Sequence, residues 1–442
     1  MTLLHINIAW RNLRQGGRRV RLLGLALTAV ASLLVLLLGL SSGIHNNLVT
    51  AATTIASGHV NVAGFFKTSP NSMGIPVVNN RQELKTLVKA SSPHIRNVID
   101  RHRGWAKLIS DETSIWAGLY GIDILQEDSL RAQLNSLPAQ NDAERGLMGL
   151  TQRNTIALFQ SQADKLKVTS GDKITVRTET MRGVSNTVDL TVVTILENMG
   201  IISSWNAFLP QQTVIELYRL KENSTGAIMV YLDDIERAEA VMLDLETTLV
   251  KNGHAVMEHD PRPFFTKFEV TAGQDWQGQR LDLTTWSDEV SFLKWILTAI
   301  DSLSLTLILI MCAIIAVGMM NTMWIAVRER TREIGTLRAV GMSRGGVLSL
   351  FMSEAILLGL VAGFIGAFTS FALAQGLNAV EIRIPSRAMQ TILLNDTLCF
   401  DVTLLNCAVT AVAFGLFAGL TALFPALKAA RLPPITAIQI TE

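Results

Sequence analysis

Four long apolar runs interrupt this sequence, and they constrain the fold more than any other feature. They cover Leu22–Ile44, Trp295–Val327, Val347–Leu377 and Val402–Leu427. An α-helix needs about 20 apolar residues to cross the hydrocarbon core of a bilayer. Only 17% of the 442 residues are charged, whereas average globular chains carry roughly 25%. The chain is therefore predicted to be an α-helical membrane protein with four transmembrane helices.

The second run is too long for the bilayer alone. As one helix it would measure about 50 Å at 1.5 Å per residue, whereas the hydrocarbon core is about 30 Å thick. We therefore expect residues 291–327 to contain a projecting stalk followed by the second span. The first run follows several arginines like a signal peptide, but it continues well beyond Ala31. This length favours an uncleaved anchor.

The distribution of Lys and Arg predicts the orientation of the spans. Residues 1–21 and residues 328–346 contain five arginines each, and the tail 428–442 contains Lys428 and Arg431. The loop 378–401 contains only two arginines. Both termini and residues 328–346 are therefore expected in the cytoplasm. The large segment 45–290 is then expected outside the cytoplasm.

Segment 45–290 has the pattern of a mixed α and β domain. Runs rich in β-branched residues predict strands over 58–66, 172–179, 187–196 and 226–234. Helical spacing predicts helices over 81–90, 211–220 and 236–253. Such intermixed elements indicate a large α+β extracytoplasmic domain. Thr285 and Asp288 resemble a capping box, which predicts a continuous helical rod from there into the second span.

We find no pattern typical of a catalytic or metal site. The six histidines of segment 45–290 include His254 and His259, which lie five residues apart rather than at the helical spacing of a zinc motif. The run GQDWQGQR (273–280) lacks the lysine that a phosphate-binding loop requires. The three cysteines all lie outside this segment, so no disulfide is expected in it. The chain is predicted to be a non-catalytic subunit that binds no metal or cofactor itself. Its net charge of +1 gives no reason to expect nucleic acid as a partner.

The charged segment 328–346 separates two apolar runs. Its composition predicts a short helix over 331–340 that ends at Gly341. Ile334, Leu337 and Gly341 would fall on one side of it, with Arg332, Thr336 and Ala339 on the other. From these residues alone, the segment either docks on a soluble partner or only fixes the topology.

The run RERTREIGTLRAVGMSRGGVLSLFMSEAILLGLVAGFIG (328–366) resembles the signature of the FtsX-like ABC transporter permease family. The matching positions are Arg332, Glu333, Ile334, Gly335, Arg338, Ala339, Gly341, Arg344, Glu354, Gly359, Gly363 and Gly366. The start (9–27) and the tail (424–439) are also similar to this family. Weaker likeness over 58–62, 118–123 and 158–176 points to the branch that contains the exporter MacB and the lipoprotein-releasing permeases LolC and LolE.

This resemblance implies a mechanism termed mechanotransmission. A permease dimer, formed with a second copy or a paralogue, would lie in the bacterial inner membrane with a MacB-like domain in the periplasm. Two separate ATPase subunits would use ATP and Mg, and a coupling helix would rest on them. The residues of that contact would be Arg332, Glu333, Ile334, Gly335, Arg338, Ala339, Gly341 and Met342. The implied cargo is a lipoprotein in the outer leaflet. The alternatives are export of a peptide, drug or lipid through an adaptor and regulation of a cell-wall hydrolase.

Two further groups of residues are candidates for function. An ionisable residue within a span is costly, so Glu354 is expected either to act in coupling or to pair with a neighbouring helix. Gly359, Gly363 and Gly366 have the spacing of small residues at helix contacts. Outside the membrane, four apolar residues are predicted to be exposed and are candidates to contact a periplasmic carrier: Ile201, Ile202, Trp205 and Phe208. The alternative is that their side chains lie in the core of the domain.

Overall fold

A computed structural model describes residues 11, 17–70, 72–134, 146–180, 183–198, 203, 205–386, 389, 397–431 and 433. The chain divides into two compact units. The helical unit comprises Met1–His45, Leu297–Arg383 and Thr397–Glu442, and the α/β unit comprises Asn46–Ile296 and Ile384–Asp396.

The described helices and strands follow one another along the chain in a mixed order. They are α1 Gly17–Ala51, β1 Val60–Lys67, β2 Val78–Asn79, α2 Arg81–Ser91, β3 Ile95–Ile109, β4 Ser114–Ile122, α3 Asp128–Gln133, β5 Thr155–Phe159, α4 Gln160–Leu166, β6 Lys173–Glu179, β7 Ser185–Leu196, β8 Asn206–Pro210, α5 Gln211–Tyr218, β9 Ser224–Thr225, β10 Ala227–Leu232, α6 Ala238–Lys251, α7 Phe268–Ala272, β11 Gly278–Thr285, α8 Trp286–Glu289, α9 Lys294–Glu329, α10 Thr331–Ala339, α11 Arg344–Val380 and α12 Leu404–Ala430.

Helices α1, α9, α11 and α12 are each long and apolar enough to cross a membrane. The predicted class of four transmembrane helices is thereby confirmed. The first helix runs beyond the apolar stretch that ends at Ile44, because α1 continues to Ala51 and a π-helical turn follows over Ala52–Ser57. Small side chains dominate the packing of α12 on its neighbours, with Ala411, Ala418 and Ala422 fully buried.

The α/β unit is built on a nine-stranded sheet with the order β11-β1-β10-β3-β4-β8-β5-β7-β6. Strand β6 also pairs with β3, so the six strands from β3 to β6 in this order close on themselves. Alternate residues of these strands, such as Leu108, Leu119 and Val176, point inward and form one apolar core. The other strands share a second core with α2 and α6, which includes Val62, Leu84 and Leu245. The predicted α+β domain is therefore confirmed.

The predicted helical rod beginning at Thr285 is wrong in one respect. The capping box of Thr285 and Asp288 is present, but α8 ends at Glu289 and a 3₁₀ turn separates it from α9. The residue that follows α8, Val290, has a backbone that is not helical, with a φ of −109° and a ψ of 19°. Glu289 Oε1 accepts hydrogen bonds from Thr284 Oγ1 at 2.7 Å and from Phe264 N at 3.3 Å, which hold α8 against the sheet.

Candidate functional site

Helix α10 follows α9 after a single residue and forms the centre of the charged segment 328–346. Thr331 Oγ1 donates a hydrogen bond to the Val327 carbonyl at 2.9 Å, so the start of α10 is tied to the end of α9. Gly341 follows the end of α10 and has a φ of +112°, a conformation that residues with a Cβ atom rarely adopt. The helix and its glycine stop lie where the sequence places them.

Burial is uneven along α10. Ile334 and Gly335 are buried, whereas Leu337 is 39% exposed and Val340 is 84% exposed. Leu337 and Gly341 have the helical spacing from Ile334 that was predicted, but both are exposed. Since residues three and four apart line one side of a helix, Glu333, Thr336, Leu337 and Val340 form one exposed stripe. We call these four residues the exposed stripe.

Two arginines attach the segment to neighbouring helices. Arg338 Nη1 donates a hydrogen bond to the carbonyl of Ala430 at 2.7 Å, at the last residue of α12. Arg330 Nη1 lies 3.0 Å from Glu354 Oε2 in α11, and the Glu354 side chain is only 9% exposed. The loop between α9 and α11 is thus held both to the helix that follows it and to α12, which is remote in sequence.

Glu354 has a charged partner in the loop that precedes its helix. A nearly buried carboxylate needs a partner, because isolated charges are costly to desolvate. Arg330 supplies that partner, so the expected pairing with a neighbouring element is present. Since Arg330 stands at the base of α10, the pair also connects α11 to the exposed stripe.

The predicted contact residues fall into two groups. Arg332, Glu333, Ala339 and Gly341 are exposed and available to a partner. The remaining four are covered to different degrees and belong to the support of the helix: Ile334, Gly335, Arg338 and Met342. The sequence did not single out Val340 or Arg330. An apolar residue seven positions after Glu333, in phase with Leu337, is the signal that could have identified Val340.

The glycines of α11 lie at close helix contacts. A Cβ atom on Gly359 would come within 2.5 Å of Ala418 Cβ in α12, and one on Gly363 within 3.1 Å of the Ala411 backbone. A Cβ atom on Gly366 would come within 2.7 Å of Ala31 Cβ in α1. These positions require the absence of a side chain, as expected for small residues at helix contacts in membranes.

The four residues of the candidate carrier contact do not form one exposed surface among the described residues. Ile201 and Ile202 lie outside the described residues. Trp205 is 48% exposed, but Phe208 on β8 is fully buried. The ring of Phe208 lies 5.9 Å from that of Phe159 and 6.0 Å from that of Tyr120. The expectation of an exposed Phe208 is therefore corrected.

The α/β unit contains a buried ion pair next to the turn that follows α1. Arg101 is fully buried, and its Nε lies 2.5 Å from Glu127 Oε1. Its two Nη groups donate to the carbonyls of Ile55 at 2.7 Å and Thr54 at 2.8 Å, in the π-helical turn after α1. Burial alone would lower the pKa of Arg101, but the Glu127 carboxylate raises it above its ordinary value. The guanidinium is charged and holds the end of this turn.

Among the described residues, the side chains that could ligate a metal ion are those of His, Cys, Asp and Glu. No group of three or more His, Cys, Asp or Glu side chains lies close enough there to hold a metal ion. The cysteines Cys312, Cys399 and Cys407 are all unpaired. What α10 offers chemically is a charged and partly apolar helix face.

Comparison with known proteins finds similarity over part of the chain, which includes segment 328–346. Residues 305–434 match the FtsX-like permease C-terminal family. The chain is 36% identical to the pyoverdine export ATP-binding/permease protein PvdT of Pseudomonas syringae pv. tomato, over 28% of the chain and 16% of that protein. It is 28% identical to the macrolide export ATP-binding/permease protein MacB of Acinetobacter baylyi, over 55% of the chain and 31% of that protein. The chain thus spans less than a third of the length of these relatives.

Two solved structures show distant likeness. The extracellular domain of the ABC-type transporter YknZ from Gram-positive bacteria aligns with 50% of this chain and 98% of its own, at 9% identity and a TM-score of 0.30. The periplasmic region of MacB from Actinobacillus actinomycetemcomitans aligns with 54% of this chain and 94% of its own, at 13% identity and a TM-score of 0.30.

Proposed function

From the FtsX-like permease domain of residues 305–434 we propose that this chain is the non-catalytic permease subunit of an ABC transporter. A separate ATPase subunit, in two copies, would hydrolyse ATP with Mg, and the permease would work as a dimer. The bacterial inner membrane is the proposed location, with the termini and α10 in the cytoplasm and the α/β unit in the periplasm.

The exposed stripe of α10 is the observation that carries this proposal. It presents Leu337 and the 84% exposed Val340 beside Glu333 on a helix that would otherwise bury its apolar residues. Exposed apolar side chains rimmed by charges are typical of protein contacts. The ATPase is the proposed partner at this stripe.

The support beneath the stripe explains how a partner would move the membrane helices. A force on α10 acts on α12 through the bond of Arg338 to Ala430, and on α11 through the pair of Arg330 and Glu354. Because α9 ends one residue before α10, it would move with them. We propose that this assembly transmits the ATPase cycle to the helical unit.

The direction of transport is proposed to be outward. The relatives PvdT and MacB are named as export proteins, and this favours export of a small compound with a periplasmic adaptor. Release of lipoproteins from the outer leaflet stays a second proposal for the cargo, supported by the likeness of residues 158–176 to LolC and LolE. Regulation of a cell-wall hydrolase is the remaining alternative.

Charge substitutions on the stripe test the proposed contact. We expect Val340→Asp combined with Glu333→Lys to abolish co-purification with the ATPase subunit expressed alongside and to remove the permease-dependent ATP turnover. Val380→Asp is the matched control, because Val380 is a 72% exposed valine at the far end of α11. If the double variant still binds and stimulates the ATPase as the control does, the stripe is not the ATPase contact.

A further inference from the structure

The α/β unit contains a cleft between the edge of its sheet and the loop that follows α7. The volume of this cleft is about 460 Å³, within the range of about 300–1,000 Å³ that is typical of sites for small molecules. Its walls include Met257, Glu258, Val270, Asp275, Trp276 and Arg280. All of these residues lie within Asn46–Ile296, so the cleft is complete within one unit. We call it the edge cleft.

One wall of the edge cleft is an extension of the sheet. Strand β11 stands at the end of the strand order, and residues 255–257 run along its free edge. Met257 N donates a hydrogen bond to the Leu281 carbonyl at 2.7 Å, and Leu281 N donates one to the Ala255 carbonyl at 2.8 Å. These bonds fix the segment that carries Glu258 alongside the strand that carries Arg280.

The opposite wall is held in place by a buried lysine. Lys67 is fully buried, and its Nζ donates to the carbonyls of Gln274 at 2.6 Å and Pro70 at 3.0 Å. The same Nζ lies 5.2 Å from the centroid of the Trp276 ring, which is the geometry of a cation–π contact. Trp276 is only 6% exposed. The loop and its indole ring are therefore fixed without any ligand.

Two donors of the edge cleft lack an acceptor. Trp276 Nε1 is buried and has no hydrogen-bond partner among the described residues, and an unpaired buried donor is costly. The Cζ atom of Arg280 lies 5.3 Å from the centroid of the same ring, and Arg280 forms no ion pair within the part of the chain that the structure describes. A carboxylate has two acceptor oxygens and could accept hydrogen bonds from both groups.

Two carboxylates on the walls of the edge cleft also lack a partner. Glu258 and Asp275 are exposed, and neither forms an ion pair with another described residue. The unpaired charge of Asp, Glu, Lys and Arg in this cleft therefore consists of two carboxylates and the guanidinium of Arg280. Two cationic groups and one carboxylate on a ligand would balance it.

The remaining ionisable side chains of the edge cleft already have partners. The Asp260 carboxylate accepts hydrogen bonds from Arg262 Nη2 at 2.6 Å and from Arg262 Nε at 3.0 Å. His259 Nε2 lies 3.8 Å from a carboxylate oxygen of Asp288. These two contacts leave the balance of unpaired charge unchanged.

We propose that the edge cleft binds a small compound with one carboxylate and two cationic groups, as in a short basic peptide or a basic amino acid. Its carboxylate accepts hydrogen bonds from Arg280 and Trp276 Nε1. Its cationic groups pair with Glu258 and Asp275, and its carbon chain contacts the apolar part of the walls. This inference goes beyond the proposed function and does not depend on it.

The test uses the full-length chain in detergent without any ATPase, so its failure leaves the coupling proposal untouched. Isothermal titration calorimetry measures the binding of lysyl-alanine at millimolar concentration. Lysyl-alanine amide lacks the carboxylate, and diacetylated lysyl-alanine lacks both cationic groups. We expect each of them to bind about tenfold more weakly than lysyl-alanine, because each loses charge-assisted hydrogen bonds.

Free lysine distinguishes the two sources of this chemistry. It carries the same three charged groups in a smaller molecule. Binding as tight as that of lysyl-alanine would assign the edge cleft to basic amino acids, and weaker binding would assign it to peptides. Both results support the proposed class of ligand.

Charge variants separate the two ends of the ligand. Arg280→Gln should weaken the binding of lysyl-alanine about tenfold and remove its advantage over the amide. Asp275→Asn should weaken both peptides about threefold and preserve that advantage, because an exposed ion pair contributes little. The matched controls are Arg177→Gln and Glu179→Gln, which replace exposed residues of β6 outside the cleft and should leave binding unchanged.

Trp276 provides a second readout, because a ligand at its ring changes its fluorescence. The change on addition of lysyl-alanine should be lost in Trp276→Phe. The proposal is overturned if lysyl-alanine and its amide bind equally well to the unchanged chain, or if Arg177→Gln weakens binding as much as Arg280→Gln does. It is also overturned if millimolar lysyl-alanine produces neither heat nor a change in fluorescence.

Discussion

The interiors of the two units of this chain are filled in different ways. In the helical unit, α11 and α12 approach each other because Gly359 and Gly415 have no side chains to keep them apart. In the α/β unit, large side chains fill the interior, and Phe65, Arg101 and Phe208 are among those that are fully buried.

The difference follows from the medium that each unit faces. Lipid tails are as apolar as Leu, so helices in a bilayer gain from close backbone contact and van der Waals packing rather than from leaving the solvent. In water the dominant gain is the removal of apolar area from solvent, which favours large side chains. Glycines at close contacts occur in the α/β unit too, as at Gly104 and Gly226, so the contrast lies in the large side chains that fill its cores.

The largest effect is expected when the carboxylate that pairs with a buried arginine is removed. Glu127→Ala leaves the fully buried Arg101 without its carboxylate, and we expect a loss of about 3–5 kcal/mol in the unfolding free energy of the α/β unit. Chemical denaturation in detergent measures this value. Glu112→Ala is the control, because its ion pair with Lys167 is solvent-exposed and should contribute nothing measurable. If both variants lose the same unfolding free energy, burial does not determine how much an ion pair contributes to stability.

The second test uses pH. Burial lowers the pKa of His102 from 6.5 to about 4. Between these values the unfolded chain binds a proton at His102 and the folded chain does not, so stability is lost as the pH falls from 6.5 towards 4. The full difference between the two pKa values corresponds to about 3 kcal/mol of unfolding free energy. Unfolding free energies measured across this range should fall less steeply in His102→Gln, and an unchanged slope would contradict the assignment.

The smallest expected effect concerns the helical unit. Gly359→Leu forces a side chain against Ala418, and overpacking of this kind costs about 1–3 kcal/mol. Gly376→Leu in the same helix meets no atom within 4 Å and should be tolerated. Thermal unfolding of the two variants in the same detergent gives the comparison. If both behave alike, the contact of α11 with α12 does not depend on the missing side chain.

Much of the fold could be predicted from the sequence because its signals are local. The four apolar runs became α1, α9, α11 and α12, and the β-branched run at 187–196 became most of β7. The break between α8 and α9 could not be predicted in this way. There the carboxylate of Glu289 accepts bonds from Thr284 and from Phe264, which is remote in sequence, and these bonds hold α8 against the sheet.

The candidate site was predictable in outline only. A helix with a glycine stop at Gly341 follows from local composition. The covered side of this helix is the one that carries Arg338, which bonds to Ala430, more than ninety positions away in the chain. Glu354 stood out as a charge within a span, but its partner Arg330 lies across a turn and a second helix. The same limit applies to Phe208, whose burial is set by rings on other strands.

The pairing of β1 with β11 has a mechanical consequence. β1 follows α1 in the chain, β11 precedes α9, and the two strands are antiparallel from Val60–Thr285 to Lys67–Gly278. Both connections to the helical unit therefore leave from the same end of this ladder. A pull that separates them would unzip the ladder one residue pair at a time, starting at Val60–Thr285, so it meets little resistance at any moment. A pull on both connections together strains no residue pair and moves the whole sheet. The α/β unit would therefore follow α1 and α9 when they move together, and the β1–β11 ladder would open when they move apart.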